Sequence, residues 1–158
     1  PMLRGGGQER GRRAGTENVP GIAGFGAAAA AARRDLGDAA CIAALRDALE
    51  AAVLARANRA RIAGAQSPRL PNTSCIVLPG VASETQVMAL DLAGVAVSAG
   101  AACSSGKVKE SHVLAAMGFA PDEAGAAIRV SLGWASTPAD VDRFVAAWCA
   151  MAARRAAA

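Results

Sequence analysis

One cysteine of this chain stands among the smallest side chains available. It is Cys103, in the run SAGAACSSG at residues 98–106. A structural cysteine behaves as a small hydrophobe and packs against larger apolar neighbours. Near Cys103 the only larger apolar residues are Val97 and Val108. A reactive thiol needs exposure and a route to the thiolate, its unperturbed pKa being about 8.5. This segment offers accessibility and backbone freedom in place of burial. A reactive thiol and a plain flexible loop both fit these residues.

Two further positions carry chemistry of their own. In AIRVSL, residues 127–132, Ile128, Val130 and Leu132 share one face of a predicted strand and Arg129 and Ser131 the other. Arg129 is therefore either a solvated strand position or a fork-shaped donor for a carboxylate, a geometry lysine does not supply. His112, the only histidine, stands at the start of a short predicted helix. It reads as a base for a thiol or as a surface cap. The run RGGGQERGRRAGTEN, residues 4–18, frees backbone N–H groups ahead of a helix beginning at Val19. Such a loop suits a phosphate or another small anion, and equally a tether or an interface. It is not a Walker A loop, because no Gly-Lys-Ser/Thr follows the glycines.

The remaining cysteines read differently. Cys41 adjoins Ile42 and Cys149 adjoins Trp148 in predicted helices, so both are packing positions. Cys75 falls in a predicted strand, in the core or on its back face. No CxxC pair occurs among the four cysteines, so neither a zinc site nor a disulfide framework is expected.

The elements that must position these residues follow from periodicity and punctuation. Residues 1–18 read as loop, and an alanine-rich helix runs over 19–36 with Gly37 as its stop. A second helix is predicted over 38–62, where Ile42, Leu45, Leu49, Val53 and Leu54 form one apolar stripe. TSCIVL, residues 73–78, reads as a strand closed by Pro79-Gly80. Ser83-Glu84-Thr85-Gln86 has the form of a capping box and opens a helix reaching Leu92. A second strand over 95–98 leads straight into the glycine loop, and a short helix follows from Ser111 to Gly118. AIRVSL is the third strand, and Thr137-Pro138 opens a last helix. That helix buries Val141, Phe144, Val145, Trp148 and Met151. The fold class is α+β: a small three-stranded sheet with helices packed against one face.

At 158 residues the chain suits a single domain, and its formal net charge is +4. It begins at Pro1 and enters a Gly/Arg segment at once, which reads as part of a longer protein. No signal peptide and no run of eighteen apolar residues is present, so a soluble cytoplasmic protein is expected, not a membrane protein. Aromatic residues are 3% of the chain and no binding-motif spacing appears, so nucleic acid is not an expected partner.

Three segments in order carry a resemblance: GGGQERGRRAGTENVPGIAGFG at 5–26, VSAGAACSSG at 97–106 and AIRVSLGWASTPADVDRF at 127–144. Together they resemble the C-terminal part of the cysteine desulfurases. These are pyridoxal-phosphate enzymes of the class V aminotransferase group with the aspartate-aminotransferase-like fold. The resemblance implies the C-terminal small domain of a fold-type I enzyme over residues 19–158, with its active-site cysteine loop at 98–106. It implies that residues 1–18 are a cofactor-phosphate and dimer-interface loop continuing from a large domain. Cys103 matches the cysteine whose thiolate attacks the sulfur of bound L-cysteine, leaving L-alanine and an enzyme persulfide. Arg129 matches the arginine that holds the substrate's α-carboxylate. Thr16, in GTEN, matches a threonine that reaches across a homodimer to the cofactor phosphate. The implied partners are L-cysteine and a sulfur acceptor or iron–sulfur scaffold protein.

The departures limit what this stretch does alone. Nothing in it matches the family's Schiff-base lysine segment, and its only lysines, Lys107 and Lys109, follow the cysteine loop. The isolated chain is therefore expected to be inactive. In the loop, Ala99 and Ala101 stand where relatives commonly carry serine. A related class V enzyme, such as a selenocysteine lyase or an aminotransferase, and a non-catalytic α+β docking module are the alternative readings.

Overall fold

A computed structural model describes residues 1–100 and 111–156, with the side chains of the last helix described as far as Arg154. The chain divides by its own packing into two units, Pro1–Gly37 and Asp38–Ala158. Each is described by itself.

In the first unit the glycine-rich run closes on itself, the Ala14 N–H donating to the Leu3 carbonyl at 3.2 Å. Within it a single turn, α1 (Gln8–Gly11), holds Glu9 and Arg10 in the left-handed region, at φ 53° and 56°. Helix α2 (Val19–Arg34) starts where the sequence placed it. The Asn18 side chain caps it by accepting from the Gly21 N–H at 3.2 Å. A 3₁₀ turn, Asp35–Asp38, takes over two residues before the expected stop.

The second unit opens with α3 (Ala39–Arg56). Here the sequence expectation is corrected. The helix ends at Arg56 instead of continuing to residue 62, because Ala57 turns to an extended conformation (φ −138°, ψ 91°). The chain then folds back as strand β1 (Arg61–Ile62), antiparallel to β2 (Thr73–Val77), with Ile62 opposite Ile76. Ile62 meets the same core from a strand that it would have met from a helix, so its spacing could not separate the two. Leu54, assigned to the buried stripe, is 46% exposed, whereas Leu49 and Val53 are fully buried.

Helix α4 (Ser83–Leu92), strand β3 (Ser98–Ala99), helices α5 (His112–Ala116) and α6 (Pro121–Ala124), strand β4 (Ala127–Ser131) and helix α7 (Pro138–Ala156) complete the unit. The fold is α+β, as expected, and the sheet has four strands rather than three, in the order β1-β2-β4-β3 with every pair antiparallel.

One face of the sheet carries the larger core. Ile76 of β2 and Ile128 and Val130 of β4 pack there with Leu49 and Val53 of α3 and Leu90 of α4. Helix α7 contributes all five residues expected of it, Val141, Phe144, Val145, Trp148 and Met151. Each fully buried aliphatic side chain in such a core contributes about 1.5–3 kcal/mol. The other face is not bare. Val77 and Ala127 are covered by Leu114 of α5, Ala124 of α6 and the partly buried Phe119. The expectation of helices on one face alone is thus corrected: two short helices roof one end of the opposite face.

Helix α4 begins at Ser83 as predicted, yet the capping box does not form. Its N-cap is Ala82, and Ser83 and Gln86 are buried inside. The Gln86 amide donates to the carbonyls of Val81 (3.0 Å) and Ala126 (2.7 Å); the first has no other partner among the described residues, and the second also accepts from the Leu78 N–H at 3.1 Å. Satisfying buried carbonyls outweighs capping an exposed turn. At α7 the predicted cap is made: the Asp140 N–H donates to the Thr137 hydroxyl at 3.3 Å, and the Thr137 N–H to the Asp140 carboxylate at 2.9 Å. These hydrogen bonds from Thr137 hold the Asp140 carboxyl below its ordinary range.

Candidate functional site

The candidate site lies on the end of the second sheet face that no described helix covers. Strand β4 alternates: Ile128 and Val130 are buried, Arg129 and Ser131 exposed. Arg129 stands in the middle of the sheet, opposite Cys75 of β2 on one side and Ser98 of β3 on the other. Directly opposed residues point to the same face, with Cβ atoms about 4.5–5.5 Å apart. Thr73 and Ser131, the next opposed pair, share that face. The result is one guanidinium among uncharged neighbours. Among the described residues it has no hydrogen bond and no ion pair.

Arg61, on the same face, is handled differently. It pairs with Glu123 and lies over the Phe119 ring at 4.7 Å from its centre. Glu123 also accepts from the Ala120 N–H at 3.1 Å, tying the start of α6 into the pair. This cation is fully engaged, whereas that of Arg129 has no partner among the described residues.

The structure places Cys75 half-buried on the Arg129 face, in contact with the smaller apolar cluster. Burial pushes its thiol above the ordinary range, and the nearby Arg129 charge offsets this only in part. Cys75 is thus a neutral thiol at neutral pH. Sequence reasoning linked Cys75 to a strand but not to Arg129. The alternation Ser74 buried, Cys75 half-buried, Ile76 buried was the available signal; the register that sets Cys75 opposite Arg129 was not.

The strand that feeds the cysteine loop is shorter and later than expected, Ser98–Ala99 in place of 95–98. Its approach is fixed by a left-handed turn at Gly94 (φ 73°) that ends α4, with the Val95 N–H donating to the Leu90 carbonyl at 2.9 Å. Cys103, Lys107 and Lys109 lie outside the described residues. His112 is exposed in the first turn of α5, which Ser111 caps by accepting from the Leu114 N–H at 3.3 Å. Cys41 is exposed and Cys149 half-buried.

The loop leading into β2 is pinned by charge. Arg69 makes two hydrogen bonds to Glu50 of α3, at 2.7 and 2.9 Å, and Arg46 donates to the Leu70 carbonyl at 2.8 Å. Burial pushes the Glu50 carboxyl up, but the Arg69 hydrogen bonds and charge, with help from the Arg46 charge, more than reverse this and hold it below the ordinary range.

Thr16 belongs to the first unit and is exposed. Around it, Arg13 curls back to donate to the Gly15 carbonyl at 2.6 Å. Gly15 itself sits at φ 95°, a conformation that turns the backbone sharply ahead of the Thr16 hydroxyl.

The Aminotransferase class-V family model matches residues 5–144. The chain belongs to that family. It is 49% identical over 145 residues to the cysteine desulfurase of Cereibacter sphaeroides, which is 92% of this chain and 37% of that protein. It is 42% identical over 146 residues to the cysteine desulfurase NifS of Azotobacter vinelandii, 92% of this chain and 36% of that one. Among solved structures, a NifS-like protein from Rickettsia africae ESF-5 superposes with a TM-score of 0.81 at 36% identity, over 96% of this chain and 39% of that chain. The chain thus spans little more than a third of the length of these relatives.

The family is pyridoxal-phosphate dependent. The residues present fit one end of such a group. The exposed Thr16 hydroxyl and the backbone turned at Gly15 suit a phosphate. No lysine stands among the described residues, so none of them offers a covalent anchor.

Proposed function

We propose that this chain is the small-domain portion of a cysteine desulfurase, with its dimer-interface segment at residues 1–18. In this reading the complete enzyme takes sulfur from L-cysteine and leaves L-alanine. The observation that carries it is the Arg129 guanidinium, without a partner among the described residues and held mid-sheet directly beside Ser98, five residues before Cys103 in the sequence. A guanidinium with two free N–H edges binds a carboxylate in two parallel hydrogen bonds, which fixes the orientation of an amino-acid substrate. Cys103 follows Ser98 by five residues. Covalent geometry therefore keeps it within about 18 Å of the strand that borders Arg129.

Pyridoxal phosphate, when bound, supplies the electron sink for bond cleavage at the substrate carbon. The residues of this chain do the rest. Arg129 holds the α-carboxylate, and Thr16 donates to the cofactor phosphate of the second subunit of a homodimer. The Cys103 thiolate attacks the substrate sulfur, and a new S–S bond forms as the C–S bond breaks. The electron pair of the broken bond stays with carbon, which takes up a proton to become the methyl group of alanine. Enzyme and substrate thiols thus give alanine and an enzyme persulfide, with no outside oxidant. In this reading one thiol, that of Cys103, serves both the substrate and an external sulfur acceptor. An acceptor that builds iron–sulfur clusters or thio-cofactors fits this chemistry, and the cytoplasm, where thiols stay reduced, fits its location.

The test is Cys103→Ser and Arg129→Gln in the complete enzyme. Cys103→Ser is expected to abolish sulfide release and persulfide labelling, and Arg129→Gln to lower kcat/KM for L-cysteine by about 100-fold. Sulfide release undiminished in Cys103→Ser would overturn the reading.

A further inference from the structure

Resting on the reading of Arg129 as the carboxylate anchor, we propose that its two cross-strand neighbours, Cys75 and Ser98, are specificity-determining positions through their lack of charge. They leave the guanidinium without a partner among the described residues, so the substrate's own carboxylate is the anion that neutralises it.

Cys75 opposes Arg129 from β2 and Ser98 opposes it from β3, so both flank it on one face. The next opposed pairs of that face, Thr73 with Ser131 and Val77 with Ala127, are also uncharged. An acidic residue at either flank would lie within a few ångströms of the guanidinium, where opposite charges attract by more than thermal energy even at the effective dielectric of a protein surface. The same sheet face demonstrates that outcome. Arg61 is given Glu123 and the Phe119 ring, and its cation is occupied. Where the fold needs an arginine fixed, it supplies a carboxylate. Beside Arg129 it supplies a thiol and a hydroxyl.

Cys75 meets this requirement in a way its neighbours do not. It is half-buried, and it packs against the Val77, Ala127 and Leu114 cluster. Burial keeps the thiol protonated despite the adjacent cation. It is apolar enough to close the cluster and stays uncharged next to Arg129. Ser98 is exposed, so a charge placed there leaves the core untouched.

The test uses the complete enzyme with L-cysteine as probe. Ser98→Asp and Cys75→Asp are each expected to raise KM about tenfold while kcat changes less than threefold. For Ser98→Asp the increase shrinks in 0.5 M KCl, because exposed charges are screened. Ser98→Asn, of the same size as aspartate but neutral, is expected to hold KM within about twofold. Should Cys75→Asp fail to fold, Ser98→Asp decides alone. An unchanged KM in Ser98→Asp, alongside a raised KM in Arg129→Gln, would overturn this inference and leave the anchor intact. An unchanged KM in Arg129→Gln would overturn the anchor itself and the inference with it.

Discussion

The indole N–H of Trp148 donates to the side-chain oxygen of Gln86 at 3.0 Å, and neither side chain has any exposed surface. Through the same amide, Gln86 also holds the carbonyls of Val81 and Ala126. One residue of α4 thus ties together α7, the turn before α4 and the backbone that enters β4. That strand carries Arg129, so its position depends on this buried network.

Replacing Gln86 by Leu keeps the volume and strands two polar groups, the Trp148 N–H and the Val81 carbonyl, whereas the Ala126 carbonyl still accepts from the Leu78 N–H. At about 1–3 kcal/mol for each group left unsatisfied, a loss of at least about 2 kcal/mol is expected. Urea unfolding followed by tryptophan fluorescence measures it. A loss below 1 kcal/mol would show that the network contributes little.

Glu50 gives the stability a dependence on pH. Its folded carboxyl titrates below the unfolded one, so folding is favoured by its ionisation. The contribution is complete above the unfolded value of about 4.3 and is lost as pH falls through the lowered folded value. Glu50→Gln is expected to cost about 2 kcal/mol at pH 7. That is less than the ~3–5 of a fully buried pair, because the Arg69 side chain keeps 19% of its surface in water. The difference from the parent chain should narrow as pH falls below the unfolded value of about 4.3, in chemical unfolding curves.

Gly94 ends α4 at φ 73°, and a Cβ there would come within 2.8 Å of the Arg143 guanidinium. The guanidinium is the flexible end of its side chain and can move, so backbone conformation sets the penalty. Gly94→Ala is expected to lower stability by about 1 kcal/mol, read as a shift in thermal midpoint. Asn, which tolerates the left-handed region, should recover part of it.

Alkylation separates the described thiols. Cys41 is exposed, whereas Cys75 is half-buried with its thiol pushed up. With iodoacetamide at pH 7.5, Cys41 should react about tenfold faster than Cys75, as resolved by peptide mass spectrometry. Arg129→Gln should slow Cys75 further, because the charge that partly offsets burial is gone. A Cys75 rate equal to that of Cys41 would contradict its placement against the smaller cluster.

What the sequence determined by itself is whatever a local period can encode. The apolar face of α7, the alternation of β4 that turns Arg129 outward, the Thr137-Pro138 start and the family motifs were all legible, because each is written in neighbouring residues. Tertiary structure decided what depends on distant partners. Ile62 had the spacing of a helix residue and became a strand residue because Ile76 offered it a ladder position. Ser83 and Gln86 had the letters of a cap, and Gln86 went inside because two buried carbonyls and an indole awaited it. Cys75 became a neighbour of Arg129 only when β2 and β4 paired in one register, and a slip of one residue would have sent its thiol to the other face. Local patterns set which way a side chain points; pairing and burial set what it meets there.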